Sequence, residues 1–314
     1  MQTNKQATIQ ATTEGELSDI LESNELTVVA SGLTATEGPV WHPEGFLTFV
    51  DLRQDQLLRW SEAEGLQVMR DPNGEGNGCT LDCQGRMLMC ESGTRRIIRR
   101  ETDGTWTTLT EDWAGKRLNR PNDIVCRSDG TIYFSDPILA VPKDQRDLDS
   151  SILWRRAPDG NLHVAARDCG FPNGVALSPD ERVLYVSDSF RDEACFGERD
   201  RKETCAHRFL AAYDVRPDGT LDNFRKFADM TSNAHSVPDG MRVDRNGIIF
   251  CTGSGATWVI APDGEVLGKI ITPESTRNCA FGDADYRTLY LTAMTTVYSV
   301  RVKTPGIGKP QPKR

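Results

Sequence analysis

Much of what would point to a familiar function class is missing from this sequence. No run approaches the roughly 18 consecutive apolar residues that a membrane helix needs, and the polar N-terminus, MQTNKQATIQATTEGELSDILES, has no apolar core, so neither a span nor a signal peptide is expected. Positive charge is in short supply: the net charge is −9 and the pI near 5.1. An acidic surface disfavours nucleic acid and anionic membranes, which reward Lys/Arg patches. The one basic run, TRRIIRR at 94–100, is interrupted by Ile97 and Ile98 and reads as an exposed strand. Histidine is scarce, with four residues at 42, 163, 207 and 235, and there is no G-x-S-x-G, so a Ser-His-Asp hydrolase is not indicated. Gly-rich GEGNG at 74–78 lacks the Lys-Ser/Thr of a phosphate cradle.

Cysteine is present but unpatterned. Nine is an odd number, and no C-x-x-C occurs. Cys79, Cys83, Cys90, Cys126, Cys251 and Cys279 fall in strand-like segments, where the thiol behaves as a small buried hydrophobe. Reduced thiols in a cytoplasmic protein are expected. Cys195 and Cys205, near His207, are the one pair in a loop, open to a disulfide or a metal. Helical periodicity is almost absent, with 14–23 (EGELSDILES) the only short helix candidate.

What the chain has is a repeat. EGPVWHPEGFLTFVD, NGCTLDCQGRMLMCE, NDIVCRSDGTIYFSD, NGVALSPDERVLYVSD, DGMRVDRNGIIFCTG and NCAFGDADYRTLYLTA begin at residues 37, 77, 122, 173, 239 and 278. Each opens on an oxygen-bearing side chain, continues as a short apolar strand, turns through Asp, Pro, Asn or Gly, and returns as a second strand. The intervening segments, such as SILWRRAPDGNLHVAAR, are themselves strand-turn-strand. Units of roughly 40–50 residues with room for four strands are the mark of propeller blades. The expected fold is therefore all-β, a six-bladed β-propeller over 25–302. The segment ELTVVASGL (25–33) would complete the last blade, a partly disordered or helical extension would occupy 1–24, and a disordered tail 303–314.

Equivalent blade positions lie on a circle around the axis. Glu37, Asn77, Asn122, Asn173, Asp239 and Asn278 would then face one spot, with no Lys or His among them. An Asn or Asp before a strand often does no more than cap its local backbone; six in one phase instead describe an axial site for a hard cation. Ca²⁺ suits carboxylate and amide oxygens, and Glu37 and Asp239 would balance its charge. Two insertions, 137–151 and 189–209, follow second strands and would border the mouth of this cup as lids.

The phrases TEGPVWHPEG, RPNDIVCRSDGTIYFSD, FPNGVALSPDERVLYVSD, VPDGMRVDRNG and NCAFGDADYRTLYLT together resemble the SMP-30/regucalcin/gluconolactonase family, grouped with luciferin-regenerating enzymes, over about 30–302. The resemblance implies a six-bladed propeller with a divalent metal, Ca²⁺ first and Zn²⁺, Mn²⁺ or Mg²⁺ as alternatives. It implies Glu37, Asn173 and Asp239 as metal ligands and Asn122 completing the shell or touching substrate. Arg120 matches a position that binds substrate oxygens; Asn77 and Asn278 are axial but less constant ligands, and His235 would line the mouth. The implied activity is hydrolysis of a small lactone, with Asp239 as the base facing water and Arg120 and Asn122 assisting, by a monomer or homodimer. A calcium-dependent phosphotriesterase or esterase would use the same cup. So would a non-enzymatic binding propeller with a structural ion, although the six tryptophans are scattered and form no rim patch.

Overall fold

A computed structural model of the chain describes residues 7–189, 208–232, 234 and 236–311. Expectations for His235, for Cys195 and Cys205, and for most of the 189–209 insertion lie outside the described residues. Among those described, the strands form six antiparallel sheets of four or five strands, plus one two-stranded hairpin at 112–117. In blade 1 the strands Thr36–His42, Phe46–Asp51, Gln56–Ser61 and Gly65–Arg70 run in sequence order from the axis outward. Blades 2 to 5 repeat this, with innermost strands Gly76–Leu81, Ile124–Cys126, Pro172–Leu177 and Met241–Val243. Asn278–Gly282 is the innermost strand of blade 6, and the six inner strands neighbour one another in a closed ring.

The ring is closed by the N-terminal strand Leu21–Ser31, which is the fourth strand of blade 6 and pairs antiparallel with Thr296–Val302. Sequence order therefore matches ring order except where N-terminal strands join blades 5 and 6. The expected helix at 14–23 does not form. Its apolar spacing produces a single turn, with the Leu21 amide donating to the Leu17 carbonyl at 2.9 Å. Flanking it, Thr12–Gly15 adds a fifth strand to blade 5, and Thr8–Gln10 adds one to blade 6. Ala11, Leu17 and Leu21 are buried against Phe250, Val259 and Leu289, so packing between two blades overrides local helix preference. The described part of the expected disordered tail is also bonded to the body. Lys303 N donates to Ile20 O at 2.8 Å, Arg245 N to Pro305 O at 3.0 Å and Gly306 N to Tyr286 O at 2.8 Å. A Cβ at Gly306 would lie 1.9 Å from the Phe281 ring, so the tail's glycine serves close contact with the blades.

Between blades the filling is apolar and continuous. Phe250 of blade 5 meets Phe281 of blade 6 edge-on, ring centroids 5.5 Å apart. Cysteine is part of this filling: Cys79, Cys83, Cys90, Cys126, Cys169, Cys251 and Cys279 are all buried and free. The basic run at 94–100 includes the strand Arg96–Arg100, and it is not the expected exposed strand: Arg95, Ile97 and Ile98 are buried and the arginines at 96, 99 and 100 half-buried, because it is the third strand of blade 2 with its isoleucines in the core. Among the described residues no helix is long and apolar enough to cross a membrane.

Ring closure sets an expectation for stability. Leu26 is fully buried in the closing strand, facing Val300 in register. Leu26→Ala should cost about 2–5 kcal/mol through lost burial and the cavity it leaves. The neighbouring exposed Glu25→Ala should cost less than about 0.5 kcal/mol. Urea midpoints measure both; equal effects would mean that the strand does not close the ring.

Candidate active site

The axial residues are aimed by an irregularity that recurs. In blades 1, 2 and 4 the pairing of first and second strands shifts register at the axial residue, between Glu37 and Val40, Gly76 and Cys79, and Pro172 and Val175. Such bulges turn a side chain out of the sheet plane. A glycine sits at each of them because the next blade's backbone comes too close for a side chain. A Cβ at Gly38 (φ +54°) would lie 2.0 Å from the Asn77 carbonyl, and one at Gly174 2.3 Å from the Asp239 carbonyl. The same position is Asp123 in blade 3 and Cys279 in blade 6.

A second repeated device holds the axial backbone. In blades 2 to 5 a Ser or Thr at or just past the end of the second strand reaches the next blade with its hydroxyl. Ser92 Oγ donates to Pro121 O, Ser135 Oγ to Asn173 O, Ser187 Oγ to Asp239 O at 2.8 Å, and Thr252 Oγ1 to Arg277 O at 2.6 Å. These bonds place the ends of the second strands on the axial-residue face. The 137–151 insertion therefore leaves on that face, as expected. It is a packed wall: Ile138 and Leu139 are buried against Phe171, and Gln145 O accepts from Arg95 Nη1 at 2.9 Å.

Glu37 is buried, 3% exposed. Its Oε2 accepts from Gly38 N at 3.2 Å and from Asn278 Nδ2 at 3.1 Å, while Oε1 accepts from Arg277 Nε at 3.3 Å. Asn173 is buried too, its Nδ2 donating to Ser189 Oγ and Pro238 O, each at 3.2 Å. With the amide nitrogen so committed, the buried Oδ1 has no hydrogen-bond partner among the described residues. Asp239 N donates to Thr252 O at 2.9 Å, and its side chain interacts electrostatically with Arg277, as does that of Glu37. Asn122 enters through Asn122 N to Ser135 O at 2.8 Å, and its carbonyl accepts from Gly78 N at 2.7 Å. Arg120, at the mouth, is ion-paired with Glu75.

The structure separates the six axial residues. Asn278 sits in regular pairing opposite Thr292 and spends its amide locally, Oδ1 on Cys279 N at 2.8 Å and Nδ2 on Glu37. It orients the Glu37 carboxylate. Asn77 bears on the site through its backbone, whose carbonyl abuts Gly38 and accepts from the Cys79 thiol.

Three groups escaped the sequence reading. Arg277 heads the innermost strand of blade 6 and pairs with Glu37. Arg242 crosses below the axial ring, Nη2 donating to Cys79 O at 3.0 Å and Pro39 O at 3.5 Å. Asp123 faces it from blade 3, with Oδ2 accepting from Val175 N at 3.2 Å. Burial pushes the Asp123 carboxyl up to about 6 against the pull of Arg242 and its amide donors. The available signal was position: Asp123 stands where four other copies carry a close-approach glycine, at 38, 78, 174 and 240.

The fit to a divalent metal can be tested on this geometry. Two carboxylates, a buried amide oxygen without a partner and a further Asn at the ring form a hard-oxygen set that suits Ca²⁺. Among the described residues no three His, Cys, Asp or Glu side chains converge, so amide oxygens must supply the rest of the shell. Burial raises the nearby Cys79, Cys251 and Cys279 thiols, keeping them neutral.

Farther out, Asp136 Oδ2 accepts from Asn119 N at 2.9 Å and Trp154 Nε1 at 2.8 Å, pinning the loop that carries Arg120. Burial raises its carboxyl to about 7 from an ordinary 3.8, against those two donors. A carboxyl raised in the folded state contributes stability fully present below about pH 4 and lost as pH climbs through 7. Asp136→Asn should therefore shrink the stability difference between pH 4.5 and pH 8 in denaturant titrations. An unchanged difference would show that Asp136 is ionised throughout.

Comparison with known proteins agrees with this architecture. Residues 35–295 match the family model described as SMP-30/Gluconolactonase/LRE-like region. A gluconolactonase from Zymomonas mobilis is 31% identical, over 90% of this chain and 83% of its own. A pentonolactonase from Haloferax volcanii is 26% identical, over 84% of this chain and 83% of its own. The solved structure of a gluconolactonase from Xanthomonas campestris superposes with a TM-score of 0.81 at 31% identity, covering 95% of this chain and 96% of that one. The chain belongs to the SMP-30/gluconolactonase/LRE-like family.

Proposed function

We propose that this protein is a divalent-metal-dependent hydrolase of small lactones, most simply sugar lactones, with Ca²⁺ as the ion. The class of bond rests on the gluconolactonase and pentonolactonase relatives, which this chain matches over nearly its whole length. The metal rests on one observation above all, the buried Asn173 Oδ1 with no partner among the described residues, on the strand that abuts the Asp239 backbone.

Glu37, Asn173 and Asp239 would hold the ion, with Asn122 completing the shell. When bound, the ion supplies Lewis-acid polarisation of the lactone carbonyl and acidifies a water. The chain's own residues do the rest. Asn278 and Gly38 N hold the Glu37 carboxylate in place. The Asn173 amide is held by Ser189 and Pro238, so its oxygen needs no reorganisation to serve as a ligand. Asp239 accepts a proton from the attacking water. As the ring C–O bond breaks, that proton passes to the leaving ring oxygen, and the product is an open-chain hydroxy acid. Arg120, steadied by Glu75, offers a fork of donors to substrate oxygens. The 137–151 wall narrows the mouth on one side.

The reading is checked by following acid release from D-glucono-1,5-lactone with a pH indicator, before and after EDTA, with Ca²⁺, Zn²⁺, Mn²⁺ and Mg²⁺ restored singly. Activity should vanish and return, most strongly with Ca²⁺. Asp239→Asn should reduce kcat by at least about 10²-fold, in the range of a lost general base. Turnover indifferent to EDTA would reject the metal. Turnover of aryl esters or organophosphates but of no lactone would reject the substrate class.

A further inference from the structure

Arg277 is the charged group at the axis that neither the fold nor a metal shell requires. Its backbone is fixed on three sides: N donates to Thr292 O at 2.8 Å, and O accepts from Gly240 N at 2.8 Å and Thr252 Oγ1 at 2.6 Å. The side chain leaves this rigid base toward the cup and stays 31% exposed. Its donors are poorly used. Nε meets Glu37 Oε1 at 3.3 Å, Nη1 meets only the Met294 thioether at 3.4 Å, and Nη2 makes no hydrogen bond among the described residues. A thioether is a weak acceptor. The charges that its guanidinium faces are those of Glu37 and then Asp239.

The counter-charges of Arg277 are thus the two carboxylates assigned to the metal. Once a divalent ion neutralises Glu37 and Asp239, the guanidinium keeps its charge and loses its counter-ions. The other cations near the axis do not face this change: Arg120 has Glu75, and Arg242 lies on backbone carbonyls with Asp123 in its field. Among the described residues a loaded cup therefore carries one uncompensated positive charge, on a planar fork with weakly used donors, in a partly desolvated recess. Such a group is matched by an oxyanion, which it can bind in bidentate fashion.

We propose that Arg277 is a substrate-binding residue that selects lactones bearing a second, anionic group, such as a carboxylate, sulfonate or phosphate, over neutral sugar lactones. This rests on the lactonase reading above and names the substrate class of the same site.

The test compares Ca²⁺-loaded wild type, Arg277→Gln and Arg277→Lys on neutral D-glucono-1,5-lactone and on the carboxylate-bearing D-glucaro-1,4-lactone. Wild type should favour the anionic lactone in kcat/KM by at least about tenfold, the scale of one charge-assisted contact. Arg277→Gln should lose that preference through KM for the anionic lactone, and Arg277→Lys should keep part of it. Two calorimetric readouts do not need turnover. Arg277→Gln should bind Ca²⁺ several-fold more tightly, because a cation competing for Glu37 is gone. It should also lose the wild-type preference for D-glucarate over D-gluconate. A wild type that prefers the neutral lactone, or a Gln variant whose preference stays within twofold of wild type, overturns the proposal. If neither lactone is hydrolysed, the lactonase reading fails by itself, and equal binding of glucarate and gluconate to wild type then overturns the role of Arg277 as well.

Discussion

The structure depends on how closely six innermost strands approach one axis. Blades 1 and 2 touch where Gly38 meets the Asn77 carbonyl, and blades 4 and 5 where Gly174 meets that of Asp239. At such distances backbone polar groups leave the reach of water, and each must find a partner inside the protein. The hydroxyls of Ser92, Ser135, Ser187 and Thr252 meet this need by spanning from one blade to the carbonyl of the next. Each such bond contributes only about 0.5–1.5 kcal/mol net. Their larger effect is geometric, since they lock the backbone from which every axial side chain projects. A site built on this ring is preorganised by the same contacts that hold the blades together.

That constraint also explains the distribution of charge. A dry axis tolerates carboxylates only where something balances them. Without a metal, Glu37 is balanced by Arg277 and hydrogen-bonded by Asn278, and one level down Asp123 is set against Arg242. Two arginines that nothing in the repeat anticipates are the answers to two buried acids. Arg242 answers a structural carboxylate, and its donors are spent on carbonyls. Arg277 answers carboxylates that can acquire another partner, and its donors are not spent. The same residue type at the same axis therefore has two different freedoms, decided by what each faces.

Outside the axis, the chain uses its ends to finish the ring. The N-terminal segment supplies the fourth strand of blade 6 and one further strand each to blades 5 and 6. The described part of the C-terminal segment returns across the hairpin turns of those two blades. Blades 5 and 6 are thus tied to each other through both ends of the chain.

The sequence alone determined the repeat, the blade count, the all-β class and the axial phase of Glu37, Asn77, Asn122, Asn173, Asp239 and Asn278. Those features follow from local chemistry: apolar strands, Asx and Gly turns, and an oxygen-bearing residue at one position in each unit. Composition and a short apolar spacing misjudged both ends of the propeller, because 14–23 and 303–311 take their conformation from blades remote in sequence. Only the tertiary structure could rank the axial residues. Asn173 keeps a free buried oxygen because Ser189 and Pro238 take its nitrogen, while Asn278 spends its amide on Cys279 and Glu37. The two asparagines look alike in the repeat, and only the partners that each meets across blades set them apart. The charge pairs Glu37–Arg277 and Asp123–Arg242 were hidden for the same reason: their members lie 240 and 119 residues apart in the chain, and only closure of the ring brings them together.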